Sequence, residues 1–203
     1  PALNPFGKRL SLCTFGVVGI GRIGTAAALR AKAFGMDVVC YDPNQPSGYE
    51  LALGIRRVDS VAEVFAQSDV VSIHAPSSPL TRGLIGREVL GQAKRGMILV
   101  NTARGLIVDI DALHDAMKDG KVLAAGLDVL PQEPANVQAP LIKAWLAGEP
   151  WIRHRLLVTP HSAFFTPESS RDMRAFAART AARYLRDNRL ENCVNAEHMA
   201  HRR

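Results

Sequence analysis

Phe15–Asp42, FGVVGIGRIGTAAALRAKAFGMDVVCYD, decides the fold of this chain. An apolar run rich in β-branched residues (Phe15, Val17, Val18, Ile20) is too short for a helix and reads as a buried strand. Gly19-Ile20-Gly21-Arg22-Ile23-Gly24 follows at once, and the alanine-rich segment Thr25–Phe34 has the composition of a helix. A second apolar run, Val38-Val39-Cys40-Tyr41, ends on Asp42, eighteen residues after Gly24. Strand, glycine turn, helix, strand and acid form the dinucleotide fingerprint in the context it requires. Gly19 suits the tight turn, Gly21 lets backbone approach a pyrophosphate, and Gly24 lets helix and strand pack closely. The helix start offers free N–H groups and a positive dipole end to phosphates. Asp42 can accept hydrogen bonds from the adenosine ribose hydroxyls and would repel a 2′-phosphate, which favours NAD over NADP.

Working outward, short apolar runs alternate with helical segments. Glu50–Gly54 is a short helical piece and Ile55–Val58 a third strand; Ser60 and Glu63 spell a capping box for a helix through Gln67. Asp69–His74 is a strand stopped by Ala75-Pro76, Arg87–Ala93 a helix, and Met97–Val100 a strand leading into Asn101-Thr102-Ala103-Arg104-Gly105. Asp109 caps a helix over Ile110–Asp119 that closes at Gly120. Val122–Leu127 is a strand ending on Asp128, Pro140–Ala147 a helix, and Leu156–Thr159 the last strand, running into Pro160-His161. Repeated βαβ units of this kind predict an α/β fold, a Rossmann-type doubly wound parallel sheet with right-handed connections. A long C-terminal helix starts at Thr166-Pro167 and runs to about Asp187 with a stripe of Met173, Phe176, Ala177, Thr180, Ala181 and Tyr184. The pattern divides the chain into a linker (1–12), a dinucleotide domain (13–166), and a C-terminal helix and irregular tail (167–203).

Composition narrows the class. With 47% hydrophobic and 22% charged residues over 203 positions, the chain can build a substantial core. No apolar run approaches the length of a membrane span, and PALNPFGKRL lacks the apolar centre of a signal peptide. Three scattered cysteines (Cys13, Cys40, Cys193) without a CxxC pair fit a reduced, cytoplasmic protein. The net charge of +6 comes from arginines spread through the chain, with no basic run of five, so it reads as a solvated surface and not as a nucleic-acid site. A positive field also suits an anionic cofactor and substrate. His198 and His201 share a helical spacing, but a frayed terminus explains them better than a metal site, so no metal is expected.

The apolar runs end on Asp42, His74, Asn101 with Arg104, Asp128 and His161. Ligands of open parallel sheets bind outside the carboxyl ends of the strands, so such a sheet gathers these residues around one cleft. Singly, each has a plain explanation: His74 as a core histidine, Glu133 as a turn residue between prolines, Arg104 as a surface charge. As a set they match the demands of hydride transfer with a 2-hydroxy acid. Arginine binds a carboxylate with its planar fork, histidine takes the hydroxyl proton near neutrality, and a carboxylate behind it fixes the ring. Arg104, His161 and Glu133 fit these roles by residue type, which leaves Asp128 for the nicotinamide.

GIGRIG, YDP, VSIHAP, NTARG, AGLDVLPQEP and TPHSAF, in this order from about Thr14 to Pro167, resemble the D-isomer-specific 2-hydroxyacid dehydrogenases. The resemblance implies an NAD-dependent oxidoreductase in which Arg104 binds the substrate's carboxylate and carbonyl, His161 is the general acid/base and Glu133 its partner. It implies cofactor contacts from Gly19, Gly21, Arg22, Ile23 and Gly24 at the pyrophosphate, and Asp42 at the ribose. His74, Ala75, Pro76 and Thr81 would line the cleft, with Thr102, Ala103, Asp128, His161 and Ala163 toward the nicotinamide. It also implies a homodimer, a 2-hydroxy/2-oxo acid substrate, and a substrate domain of on the order of a hundred residues that is largely absent from this sequence. Without that domain, Met173, Phe176 and Tyr184 would be left partly exposed or buried in an oligomer. The segment between Glu133 and His161, and the tail Glu191–Asn195, look most like the C-terminal-binding-protein branch. An NAD-sensing corepressor-like interaction module and a non-catalytic truncated relic are therefore the competing readings. One departure stands out: the family's usual R-G-G is here Arg104-Gly105-Leu106, and a positive φ at the third position would strain Leu106.

Overall fold

A computed structural model describes residues 7–193. Seven strands form one all-parallel sheet: β1 (Thr14–Val18), β2 (Asp37–Tyr41), β3 (Arg56–Arg57), β4 (Val70–Ile73), β5 (Met97–Asn101), β6 (Val122–Leu127) and β7 (Leu156–Val158). Their order is β3-β2-β1-β4-β5-β6-β7, the doubly wound arrangement expected from the alternating pattern. The helices are α1 (Arg22–Ala33), α2 (Tyr49–Leu53), α3 (Val61–Gln67), α4 (Arg87–Gln92), α5 (Ile110–Lys118), α6 (Pro140–Leu146) and α7 (Pro167–Asp187).

Alternation along the strands builds two apolar layers. Val17, Val38 and Cys40 pack with Ala28 and Ala31 of α1. Val18, Val39, Val71, Ile73 and Leu99 join the larger layer with Phe65 of α3, Leu90 of α4, Leu113 of α5 and Leu141 of α6. In the larger layer α3 packs on α4, α4 on α5 and α5 on α6. Burying a side chain such as the fully enclosed Phe65 stabilises the fold by about 2–3 kcal/mol.

The expected caps are in place. Ser60 accepts from the Glu63 N–H at the start of α3, but the Glu63 carboxylate accepts from the Ser60 hydroxyl and not from its N–H, so the capping box expected there is only half formed; Asp109 accepts from the Asp111 and Ala112 N–H groups at the start of α5. Thr166 and Ser169 cap α7 reciprocally, with Pro167 as the first helical residue. Several boundaries move for a local reason. β1 stops at Val18 because Gly19 turns with φ of 92°, and α1 starts at Arg22, earlier than its alanine-rich composition suggests, because Gly21 is its cap. The third strand shrinks to two residues at the sheet edge. Within the leading segment, Leu10–Leu12 form a 3-10 turn, and Lys8 pairs with Asp69 at 2.8 Å.

The chain divides into two compact units between His161 and Ser162. In the second, α7 buries none of its residues, and Met173, Phe176 and Tyr184 remain exposed. His198 and His201 lie outside the described residues.

Candidate functional site

The glycine turn sits between the carboxyl ends of β1 and β4, where the strand order reverses. The Gly19 N–H donates to the Tyr41 carbonyl at 2.8 Å, which ties the turn to β2. A methyl group on Gly19 would stand 2.8 Å from the Ala75 nitrogen, and one on Gly24 only 1.9 Å from the Gly19 oxygen. Both glycines are therefore demanded by close backbone approach. At Gly21 a methyl group would meet nothing within 4 Å, so this glycine faces open space.

That open space is where the residues fit a dinucleotide. α1 has no side-chain cap and no acid in its first turn, so its N–H groups and positive dipole end stay uncompensated by protein. Arg22 and Ile23 of this first turn are exposed, Ile23 at 71%. Asp42 is buried, its Oδ2 accepting from the Ile20 N–H and its Oδ1 from the Asn44 N–H, each at 2.9 Å. The carboxylate thus joins the glycine turn to the loop after β2.

His74 closes the other side of the turn. Its N–H donates to the Val18 carbonyl at 2.8 Å, and its Nε2 lies 2.9 Å from the Ser72 Oγ. Burial pushes its pKa down, so the ring is neutral near pH 7. Thr81 Oγ1 donates to the Pro76 carbonyl at 2.6 Å and folds the Pro76–Thr81 loop on itself.

At β5, the fully buried Asn101 donates through Nδ2 to the Arg104 carbonyl and accepts at Oδ1 from the Ala103 N–H, both at 3.0 Å. This one amide shapes the Thr102-Ala103-Arg104 loop. Thr102 and Arg104 are exposed, and Arg104 Nη1 donates to the Ala103 carbonyl at 2.6 Å. A methyl group on Gly105 would lie 1.9 Å from the Leu130 carbonyl carbon, so the Arg104 loop and the loop after β6 touch through this glycine. Leu106 occupies a 3-10 turn and is not among the residues with positive φ, so replacing the usual glycine strains nothing there. Gly105 is the glycine the packing requires.

The loops after β6 and β7 border an open cavity of about 390 Å³ lined by Asp128, Leu130, Glu133, Val158, Thr159 and His161, among others. His161 Nδ1 is 2.8 Å from Glu133 Oε2. The His161 hydrogen bond holds the Glu133 carboxyl below its ordinary pKa, with a smaller contribution from the Leu130 N–H. An ionised carboxylate only accepts, so Nδ1 carries the hydrogen, and Nε2 is the nitrogen left without one in a neutral ring. His161 has φ of 52°, held by its N–H donating to the Asp128 carbonyl at 2.8 Å. Thr159 Oγ1 donates to Asp128 Oδ1 at 2.6 Å.

The fold therefore brings Asp128, Glu133 and His161 to one cavity; Arg104 is not among the residues that line it. Ala163 belongs to the second unit. Two residues of the site do not stand out in the sequence. Asn101 is there only a strand end, although a buried amide at such an end is a signal for a loop bracket. Thr159 ends a strand, and only the tertiary pairing of β6 with β7 aims its hydroxyl at Asp128.

Residues 2–163 match the family described as D-isomer specific 2-hydroxyacid dehydrogenase, NAD binding domain. The chain is 37% identical over 182 residues to the D-3-phosphoglycerate dehydrogenase of Methanocaldococcus jannaschii, covering 90% of this chain and 33% of that protein. It is 39% identical over 184 residues to the glyoxylate reductase of Korarchaeum cryptofilum, covering 91% of this chain and 52% of the relative. Among solved structures, the NAD-complexed D-isomer specific 2-hydroxyacid dehydrogenase from Lactobacillus delbrueckii ssp. bulgaricus superposes with a TM-score of 0.79 at 32% identity, over 93% of this chain and 58% of that one. The chain thus spans from a third to somewhat over half the length of these relatives. The glycine turn, the capless α1 and the residues at the strand ends belong to a recognised group: this chain is a member of the D-isomer specific 2-hydroxyacid dehydrogenase family, of its NAD binding domain.

Proposed function

We propose that this chain forms the cofactor half of an oxidoreductase that moves a hydride between NAD(H) and a D-2-hydroxy acid/2-oxo acid pair. The hydrogen bond between His161 and Glu133 on the cavity wall carries the proposal. NAD supplies the hydride acceptor. Gly19, Gly21, Gly24 and the first turn of α1 (Arg22, Ile23) hold its pyrophosphate, and Asp42 holds its adenosine ribose. His74, Ala75, Pro76 and Thr81 form the wall beside the turn, while Thr102, Ala103 and Asp128 serve the nicotinamide end.

In the oxidation direction, His161 Nε2 accepts the proton of the substrate hydroxyl as the C2 hydride leaves. Glu133 fixes the ring and stabilises the imidazolium that forms, as a carboxylate behind a base does. Arg104 grips the substrate carboxylate with its planar guanidinium and polarises the nascent carbonyl. In the reverse direction His161 returns the proton to the oxygen of the 2-oxo acid. Buried thiols at Cys13 and Cys40 support a reducing, cytoplasmic setting, and family resemblance supports a homodimer.

The test is 2-oxo acid-dependent NADH oxidation by the intact protein and its His161→Ala variant. The expected result is a loss in kcat of at least about 100-fold, with NAD affinity within threefold of the parent. Unchanged turnover would overturn the proposal.

A further inference from the structure

Arg57 stands outside the residues assigned to the cofactor, yet its side chain holds the loop that carries Asp42. It is the second residue of β3, opposite Cys40 of β2, and it is only partly exposed. Its Nη2 donates to the Asp42 carbonyl at 2.7 Å, and its Nη1 donates to the Gln45 carbonyl at 3.0 Å and the Pro46 carbonyl at 3.3 Å. Behind it lies Glu50, a buried acid 3.9 Å from Nη1. Both oxygens of Glu50 accept from the Gly48 N–H, each at 3.2 Å, at the far end of the same loop.

The loop after β2 is thus gripped at three carbonyls by one guanidinium and at one N–H by one carboxylate, and the two charges face each other. It is also tied forward to the glycine turn, since the Gln45 amide donates to the Ile20 carbonyl at 3.4 Å. Ile20 is the residue whose N–H binds the Asp42 carboxylate. The neighbouring Arg56 does a different job, pairing with Asp37 at the opposite end of β2 at 2.7 Å. A two-residue edge strand contributes little ladder of its own; what it delivers is a planar five-donor fork to the ribose end of the cleft.

We infer that Arg57, braced by Glu50, is a positioning residue for the adenosine-ribose end of the cofactor: it fixes the Asp42–Gly48 loop and so sets both the affinity for NAD and its preference over NADP. The inference rests on the reading of Asp42 as the ribose acceptor. Arg57 itself touches no cofactor atom in this scheme; three of its five N–H donors are committed to carbonyls of the loop.

Calorimetric titration of NAD, NADP and ADP-ribose into the parent, Arg57→Met, Arg57→Lys, Glu50→Gln and Asp42→Asn chains tests this, with urea midpoints recorded alongside. Arg57→Met should weaken NAD and ADP-ribose about tenfold and reduce NAD-over-NADP selectivity, because the Asp42 peptide loses its anchor. Arg57→Lys should recover less than half of that loss, since an ammonium cannot span three carbonyls. Glu50→Gln should give a smaller loss in the same sense, and it decides the matter if Arg57→Met does not fold. Affinity and selectivity within twofold of the parent in the folded Arg57 and Glu50 variants would overturn the inference, provided Asp42→Asn has weakened NAD. If Asp42→Asn also leaves NAD unchanged, the ribose reading falls and the inference falls with it.

Discussion

Replacing Asp42 separates two effects that one carboxylate combines. Its oxygens accept from the Ile20 and Asn44 N–H groups, each at 2.9 Å. Ile20 is fully buried, so its N–H finds no water once the acceptor is gone, whereas Asn44 is exposed and rehydrates. Hydrogen bonds to a charged acceptor contribute about 1.5–3 kcal/mol, and a stranded buried N–H costs a similar amount. Asp42→Ala should therefore destabilise the chain by about 2–3 kcal/mol. Asp42→Asn keeps one oxygen, which can turn to Ile20, and should cost about half as much.

Selectivity moves for a separate reason. Two unit charges about 4 Å apart at an effective dielectric of about 20 repel by about 4 kcal/mol before salt screening. Losing the carboxylate should consequently shift the NAD-to-NADP affinity ratio at least tenfold toward NADP. Urea denaturation gives the stability change, and calorimetry with the two cofactors gives the ratio. An Asp42→Ala chain within about 0.5 kcal/mol of the parent, with an unaltered ratio, would refute both halves of the reasoning.

Other perturbations read other parts of the structure. Asp69 is buried, which disfavours its charge, but hydrogen bonds from Lys8, the Thr14 N–H and Lys94 outweigh that and hold its pKa at about 2. A depressed carboxyl pKa stabilises the fold above the unfolded value and is lost as pH falls through the folded one. The stability gap between parent and Asp69→Asn should thus narrow by up to about 2 kcal/mol from pH 5 to pH 2 in urea titrations, and a constant gap contradicts it. Gly105→Ala drives a methyl group to 1.9 Å from the Leu130 carbonyl carbon. It should cost at least about 2 kcal/mol and separate the Arg104 loop from the loop carrying Glu133, measurable as a lower urea midpoint with impaired 2-oxo acid turnover in the intact protein. Removing His161 as alanine deletes the main cause of the low Glu133 pKa, so a carbon-13 titration should find that carboxyl moved up toward its ordinary value.

What the sequence determined by itself was the local grammar. Alternating apolar runs and helical stretches specified a parallel doubly wound sheet, because side-chain period and loop length leave few other ways to bury those faces. Caps at Ser60, Asp109 and Thr166 were legible since each is a contact within three residues. The fingerprint from Phe15 to Asp42 named the cofactor class for the same reason: its parts lie on one continuous βαβ unit. Polar residues at strand ends were visible as a set, since the carboxyl ends of parallel strands share one edge of the sheet.

Tertiary structure decided which of them meet. His161 and Glu133 are 28 residues apart, and only the pairing of β6 with β7 brings their loops to one cavity. Whether Leu106 was strained depended on a backbone angle that no residue type fixes, and the required glycine proved to be Gly105, against Leu130. Nothing in the sequence singles Arg57 out among the arginines; β3 lying beside β2 aims its guanidinium at three carbonyls of the loop after β2. Local sequence sets which groups end each strand; the order and register of the strands set the distances between them, and at this cleft the chemistry depends on those distances.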